Sequence, residues 1–269
     1  MKPIFILGMG AQKAGTSWFH RMLQQQDDVN LGFMKEYHIW DYVYTDLCNQ
    51  FKAPVKKPDN PNVALRRMMQ ASSETYIKYF QGLLDSDVYV TGDITPSYSV
   101  INEAGLEKIS SVIKGAGFDM KVVFLMRDPV ERIWSAVRME QRIRLNRGQT
   151  LPENFCDARV KECLSINDQV ARSDYKTTVQ NITKVFSKDE IYFGFYESLF
   201  NDQSVNRLQD FLGFNLKNLD FSKRVNASDP ANMSEKTTQI LTEFLAPQYQ
   251  FCNEEFAAER LKELWRDFD

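Results

Sequence analysis

A short apolar run, Ile4 to Leu7, ends at Gly8 and leads directly into Gly10-Ala11-Gln12-Lys13-Ala14-Gly15-Thr16-Ser17. A bounded apolar run of this length predicts a buried strand, and Thr16 to Gln26 predicts a helix. Strand, glycine loop and helix in immediate succession confine the chain to a small set of α/β folds. Such a loop also suits an anion. Its glycines let the backbone approach closely, and the unpaired N–H groups at the helix start point at the ligand. Lys13 adds a mobile positive charge, and Thr16 and Ser17 add hydroxyl donors.

Spacing separates the kinds of loop. Gly8 and Gly10 match the first two glycines of a dinucleotide-binding GxGxxG, but the third position is Lys13. Gly10 and Gly15 have the spacing of GxxxxGK[ST], yet Thr16 follows Gly15 where that motif needs lysine. The lysine lies inside the loop instead.

Further strands are expected at Val29 to Phe33, Val88 to Val90 (ended by Gly92-Asp93), Lys121 to Met126 and Ile191 to Phe195. Helices are expected over Val63 to Leu84, Glu103 to Lys114, from Pro129 onward, over Asp174 to Phe186, and over Asn206 to Leu212 closed by Gly213. Two more run from an N-cap at Ser234 toward Leu245 and from Glu254 to Trp265. Asn49 to Asn62, with Pro54, Pro58 and Pro61, reads as a surface loop. Alternating strands and helices imply a P-loop-type parallel sheet flanked by helices on both faces. No repeat or composition break divides residues 1–269, so a single domain is expected.

A second anion site is predicted where the strand Lys121 to Met126 meets the helix that begins at Pro129. Arg127 sits at that junction, and Ser135 lies two turns into the helix. An arginine fork and a hydroxyl can together hold one phosphate. Arg132, Arg138, Arg142, Arg144 and Arg147 crowd the same helix. They could line an entry for an anionic acceptor, but Glu131 and Glu140 interleave with them, which favours a solvated helix face.

The two sites together resemble the sulfotransferases that use 3′-phosphoadenosine 5′-phosphosulfate (PAPS). The first loop is similar to G-x-Q-K-x-G-T-[ST] of the heparan-sulfate and bacterial branch. Arg127-Asp128-Pro129 through Arg132 and Ser135 is similar to that family's R-[DN]-P-x-x-R-x-x-S. The resemblance implies that Lys13, Ala14, Gly15, Thr16, Ser17 and Trp18 hold the 5′-phosphosulfate, with Lys13 at the bridging oxygen. It implies Arg127 and Ser135 at the 3′-phosphate, and Arg224 and Asn226 in a loop over the nucleotide. The products would be a sulfonated acceptor and adenosine 3′,5′-bisphosphate.

The acceptor must lose a proton, so a general base is required. Lys35-Glu36-Tyr37-His38 resembles the family's K-E-x-H, in which the glutamate is the base. That makes Glu36 the favoured base, with His38 as its orienting partner or as the base itself. In an extended chain the two side chains point the same way. Lys35 and Asp93 are candidates for substrate binding. Asp93-Ile94-Thr95-Pro96-Ser97-Tyr98 resembles E-K-T-P-S-Y, with Ile94 in place of a lysine that the family keeps at its active site. That replacement argues against a heparan-like polyanionic acceptor. A carbohydrate or small molecule is favoured, through a hydroxyl or an amine. Ile191 to Leu199 resembles the family's late strand with its Y-E-x-L, where Tyr196 and Glu197 are expected to be structural.

No magnesium-binding aspartate ends the best strand, and a sulfonate carries less charge than a phosphoryl group, so a metal-free transfer is expected. Two alternatives stay open: a P-loop kinase acting on a small molecule, and a non-catalytic nucleotide-binding relative. A net charge of −3 gives no support for nucleic-acid binding. No run approaches the roughly 18 apolar residues of a membrane span, and a cytoplasmic location is expected. Cys48, Cys156, Cys163 and Cys252 form no CxxC pair and are expected to be buried free thiols.

Overall fold

A computed structural model describes residues 2–54, 60–219, 221, 232–256 and 258–265. In chain order the elements are β1 (Ile4–Gly10), α1 (Thr16–Gln24), α2 (Trp40–Tyr44), α3 (Pro61–Ala71), α4 (Ser73–Gln81), β2 (Val90–Ile94), α5 (Glu103–Gly115) and β3 (Asp119–Met126). They continue with α6 (Pro129–Asn146), α7 (Phe155–Cys163), α8 (Asn167–Ala171), α9 (Tyr175–Val185), β4 (Ile191–Phe195), α10 (Asp202–Leu212), α11 (Glu235–Glu255) and α12 (Ala258–Leu264). Short 3₁₀ turns cover Asp46–Phe51, Pro96–Val100, Lys188–Glu190 and Tyr196–Ser198.

The sheet is four-stranded and parallel, in the order β2-β1-β3-β4. Every residue of β1 is buried, as a central parallel strand requires when both its faces are covered. Phe5 meets Phe80 of α4 edge-on at 5.1 Å and Phe118 at 5.4 Å. Phe124 on β3 meets Tyr175 of α9 at 5.9 Å. Chain order reverses across β1, since β2 pairs on one side and β3 on the other. The loops leaving β1 and β3 therefore open beside each other at their C-terminal ends, where open α/β sheets bind ligands.

Several elements differ from expectation. Val29 forms only an isolated bridge to Val90. The helix expected over Val63 to Leu84 is two helices. Ser72 between them is extended and caps α4 by accepting from Thr75 N. β2 does not end at Gly92-Asp93 but runs through both residues to Ile94. Asp93 fits inside the strand because three hydroxyls converge on it: Tyr98 Oη and Thr95 Oγ1, each at 2.6 Å, and Tyr76 Oη at 3.1 Å. All four cysteines are free and buried.

Candidate active site

The loop between β1 and α1 is held open by its backbone conformation. Gly10 has φ 122°, and a Cβ there would lie 2.6 Å from the Pro96 carbonyl oxygen. Gly15 has φ 94°, and a Cβ there would meet Leu199 at 2.8 Å. Between them, Lys13 adopts φ 72°, a left-handed conformation uncommon for a side chain of its size. Ala11 N donates to Leu125 O at 2.5 Å, tying the loop to β3. Gly15 is the N-cap of α1 and supplies no side-chain cap, and the first turn holds no acidic residue. The positive end of α1 is thus left for an external anion.

The charges around this helix end are nearly all positive. Burial is the largest influence on Lys13, and the charges of Arg142, Arg127, Arg138 and Lys35 act in the same direction, bringing its ammonium down to about 8. Arg138 and Arg142 are half-buried and face the loop closely enough to depress Lys13. For these two residues the half-burial favours the entry for an anionic acceptor over the solvated face. Arg132 departs further, being fully buried with Nη2 3.4 Å from Gln169 O. Arg144 keeps to the expectation and pairs with Glu140 at 2.5 Å.

Arg127 leaves β3 toward the first loop. Its Nη1 donates to Lys13 O at 3.3 Å, across 114 positions of sequence, and its Nη2 lies 3.5 Å from Glu131. The guanidinium stacks 4.6 Å over the Tyr196 ring, and its buried Nε has no partner. Tyr175 Oη fixes the Arg127 peptide, donating to its carbonyl at 2.8 Å. Asp128 caps α6 by accepting from Glu131 N at 2.9 Å, and its own N–H donates to Glu197 at 2.9 Å. The Tyr196-Glu197 pair thus has a definite task, the support of Arg127 and Asp128. Ser135 is buried and lies one turn beyond Glu131, on the face that Arg127 reaches.

Trp18 is 6% exposed and packs against Phe200 at 5.3 Å and Phe221 at 6.3 Å. Its indole is therefore wall material, and only its N–H lies at the helix start. Ala14 and Thr16 are buried beside it. Arg224 and Asn226 lie outside the described residues.

The Lys35 to His38 segment crosses toward the same loop. Lys35 Nζ is 2.5 Å from Glu36 Oε1, and His38 Nε2 is 3.5 Å from Glu36 Oε2. The other His38 nitrogen, Nδ1, is 2.6 Å from Oδ2 of Asp41. Asp41 is fully buried and also accepts from Ser97 Oγ at 2.5 Å. Phe51 stacks on the imidazole at 3.6 Å and 10°. Burial would lower the His38 pKa, but the hydrogen bonds to Asp41 and Glu36 outweigh it and raise it. Burial would likewise raise Glu36, but the hydrogen bond from His38 and the charge of Lys35 pull its carboxyl down to about 2.

Asp41 and Ser97 escaped the sequence reading as functional residues. The available signal for Asp41 was its place three residues after His38; the contact is made by the left-handed turn at His38, before α2 begins, and not along a helix face. Asp93 requires a correction in the other direction. It is 0% exposed, so no acceptor can touch it. Its three hydroxyl partners pull its pKa down, but burial is the larger influence and leaves it at about 6. It acts on the site through Thr95, whose Oγ1 donates to Asp93 and accepts from Tyr37 N at 3.0 Å. Ile94 is fully buried and cannot stand in for a lysine at the surface of the site.

The family model of the sulfotransferase domain matches residues 111–268, more than half of the chain. The chain belongs to the sulfotransferase family. A sulfotransferase from Alicyclobacillus acidocaldarius is similar in structure, with a TM-score of 0.65 at 21% identity, covering 94% of this chain and 95% of its own. The sulfotransferase domain of the Synechococcus PCC 7002 olefin synthase aligns over 90% of this chain and 94% of its own, with 17% identity and a TM-score of 0.47. Mouse sulfotransferase SULT7A1, complexed with PAP, aligns over 98% of this chain and 88% of its own, with 11% identity and a TM-score of 0.48. No curated protein matches the chain. This sulfotransferase is an enzyme of sulfonate transfer, and nothing favours the kinase alternative. Among its described residues no helix is long and apolar enough to cross a membrane. No group of three His, Cys, Asp or Glu side chains among them is placed to hold a metal.

Proposed function

We propose that this sulfotransferase moves the sulfonate of PAPS to a hydroxyl or amine of a carbohydrate or small molecule, with Glu36 as general base. The observation that carries the donor assignment is the joining of Lys13 to Arg127 at the uncapped start of α1. The two cationic positions stand on separate strand ends, each able to hold its own phosphate. A nucleotide with phosphates at both 3′ and 5′ suits both. The orphaned Nε of Arg127 and the Ser135 hydroxyl suit the 3′-phosphate. The N–H groups of α1 and Lys13 suit the 5′-phosphosulfate.

In the transfer, the acceptor oxygen or nitrogen bonds to sulfur as the bond to the bridging oxygen breaks, and the acceptor proton passes to Glu36. Lys13 stabilises the charge that grows on the bridging oxygen, an effect strongest in the transition state. Asp41 occupies Nδ1 of His38, and the two carboxylates beside the ring raise its pKa, which makes it a poorer candidate for the base. This favours Glu36, with His38 orienting it. Calorimetry with adenosine 3′,5′-bisphosphate against AMP, followed by transfer of labelled sulfonate to an acceptor panel, tests the reading. Equal affinity for the two nucleotides overturns the donor assignment. Donor binding without transfer to any acceptor favours a non-catalytic relative.

A further inference from the structure

Both oxygens of Glu36 are engaged by cationic groups, Lys35 at 2.5 Å and His38 at 3.5 Å. A carboxylate held this way, down at about 2, accepts a proton from a hydroxyl poorly. The two restraints differ in what can relieve them. His38 is pinned by Asp41, by the stacked Phe51 ring, and by Gln70 Nε2 donating to its carbonyl at 2.7 Å. Lys35 is held by Glu36, and its side chain is 27% exposed. Lys35 lies at a bend in the segment, and its contact with its sequence neighbour immobilises a long, rotatable stem. That ordering has an entropic cost.

The charges facing Glu36 come from several directions. Lys35 and His38 lie on its own segment, and Asp41 of α2 stands behind His38. His20 of α1 is kept neutral, at about 4, by burial and by the charge of Lys35, with Glu36 opposing. Lys13 lies across the loop, near enough to Lys35 for the two ammonium groups to repel. Lys35 is the one of these cations with a long stem, its only hydrogen bond among the described residues to Glu36, and a place next to the donor's reactive end.

We propose that Lys35 changes partners during the reaction. In the free protein it neutralises Glu36; when a sulfonate lies beside Lys13, Lys35 turns to the sulfonate oxygens and leaves Glu36 free to take the acceptor's proton. The proposal rests on the donor reading above. Losing a cation and gaining an anion nearby both favour the protonated carboxyl. Glu36 therefore becomes a competent base only once the donor is seated. Lys35 and Lys13 both stay protonated throughout, and the one proton that moves goes from acceptor to Glu36.

The experiment measures proton uptake on PAPS binding, without acceptor, by calorimetry at pH 4.5 in buffers of different ionisation enthalpy. Wild type, Glu36→Gln and Lys35→Met are compared. At that pH Lys13 and His38 are charged before and after binding, the donor's own ionisation is common to all three proteins, and each is measured in a His20→Gln background because His20, at about 4, would otherwise titrate there. A carboxyl released from about 2 to an ordinary glutamate value takes up roughly 0.4 of a proton. Wild type should show an excess of up to that size over Glu36→Gln, and Lys35→Met should show a smaller one, because its Glu36 has lost the Lys35 contact from the start and keeps only the one to His38. Equal uptake in all three proteins overturns the exchange and leaves the donor reading standing. Absence of PAPS binding in wild type overturns both.

Discussion

His38 and Asp41 meet at 2.6 Å, Nδ1 to Oδ2, with the carboxylate fully buried and the imidazole closed off by Phe51. The contact fixes which nitrogen of His38 faces the chemistry. Nδ1 is committed to Asp41, so Nε2 is turned to Glu36. His38 itself sits at φ 53°, and Gln70 and Thr95 hold the backbone around it.

Asp41→Asn should release His38 toward an ordinary histidine pKa, read by NMR titration of the ring. The effect on stability has a defined sign. A raised histidine contributes stability that is fully present below roughly pH 6.5 and is lost as pH rises through the folded-state value. Thermal unfolding of wild type should show that loss, and the variant should not. An unchanged His38 titration in Asp41→Asn would contradict the coupling.

Glu36→Gln should bind donor normally and lose on the order of 10² to 10⁴ in turnover, the usual range for a removed general base. His38→Ala should lose less, because it removes the orienting partner and leaves the carboxylate. The rates must be compared at saturation with one acceptor. Near-full activity in Glu36→Gln together with an inactive His38→Ala would make the histidine the base.

Lys13→Ala should reduce turnover by about 10² to 10³ at saturating donor. Binding of adenosine 3′,5′-bisphosphate should suffer less, because that product lacks the sulfonate bridge. An unchanged rate constant would remove Lys13 from the transition state.

Donor affinity should fall as pH rises past about 8, where Lys13 loses its proton in the free protein. An anion binds the charged form and raises its pKa, so binding above that pH takes up a proton. Affinity should drop roughly tenfold per pH unit there. Lys13→Ala should show a flat profile over the same range.

Tyr196→Leu removes the ring beneath Arg127. A half-buried cation–π contact contributes about 0.5 to 1 kcal/mol, so affinity for adenosine 3′,5′-bisphosphate should weaken by roughly two- to fivefold. AMP, which does not use the 3′ position, should bind as before.

How much of this was legible in the sequence depended on whether the deciding contacts were local. β4 could be read to the residue, and so could the start of α6, because Pro129 marks a first turn; the uninterrupted Val122 to Leu125 marked the end of β3 at Met126, but that strand begins two residues before the expected Lys121, at Asp119. The break at Ser72 was hidden, since the apolar periodicity runs on through it and only the cap betrays it. β2 was cut short because Gly92-Asp93 looks like a turn. In the fold Gly92 instead packs against Ile6, with a Cβ position 2.3 Å from its carbonyl oxygen. The pairing of Lys13 with Arg127 was invisible for a similar reason, since it depends on β1 and β3 being neighbours. Asp41 sits among aromatic residues, and while one partner, His38, is local, the other, Ser97, comes from the turn after β2.

The bond from Ala11 N to Leu125 O and the reach of Arg127 to Lys13 also bear on when the site comes into being during synthesis. β1 pairs with β3, so the first loop lacks its anchor until a ribosome has added the residues through Arg127. Closing so long a loop is entropically slow. A nascent chain halted before β3 should therefore bind no nucleotide, although its glycine loop was made first. The anion-binding loop thus becomes functional only well after it has been made.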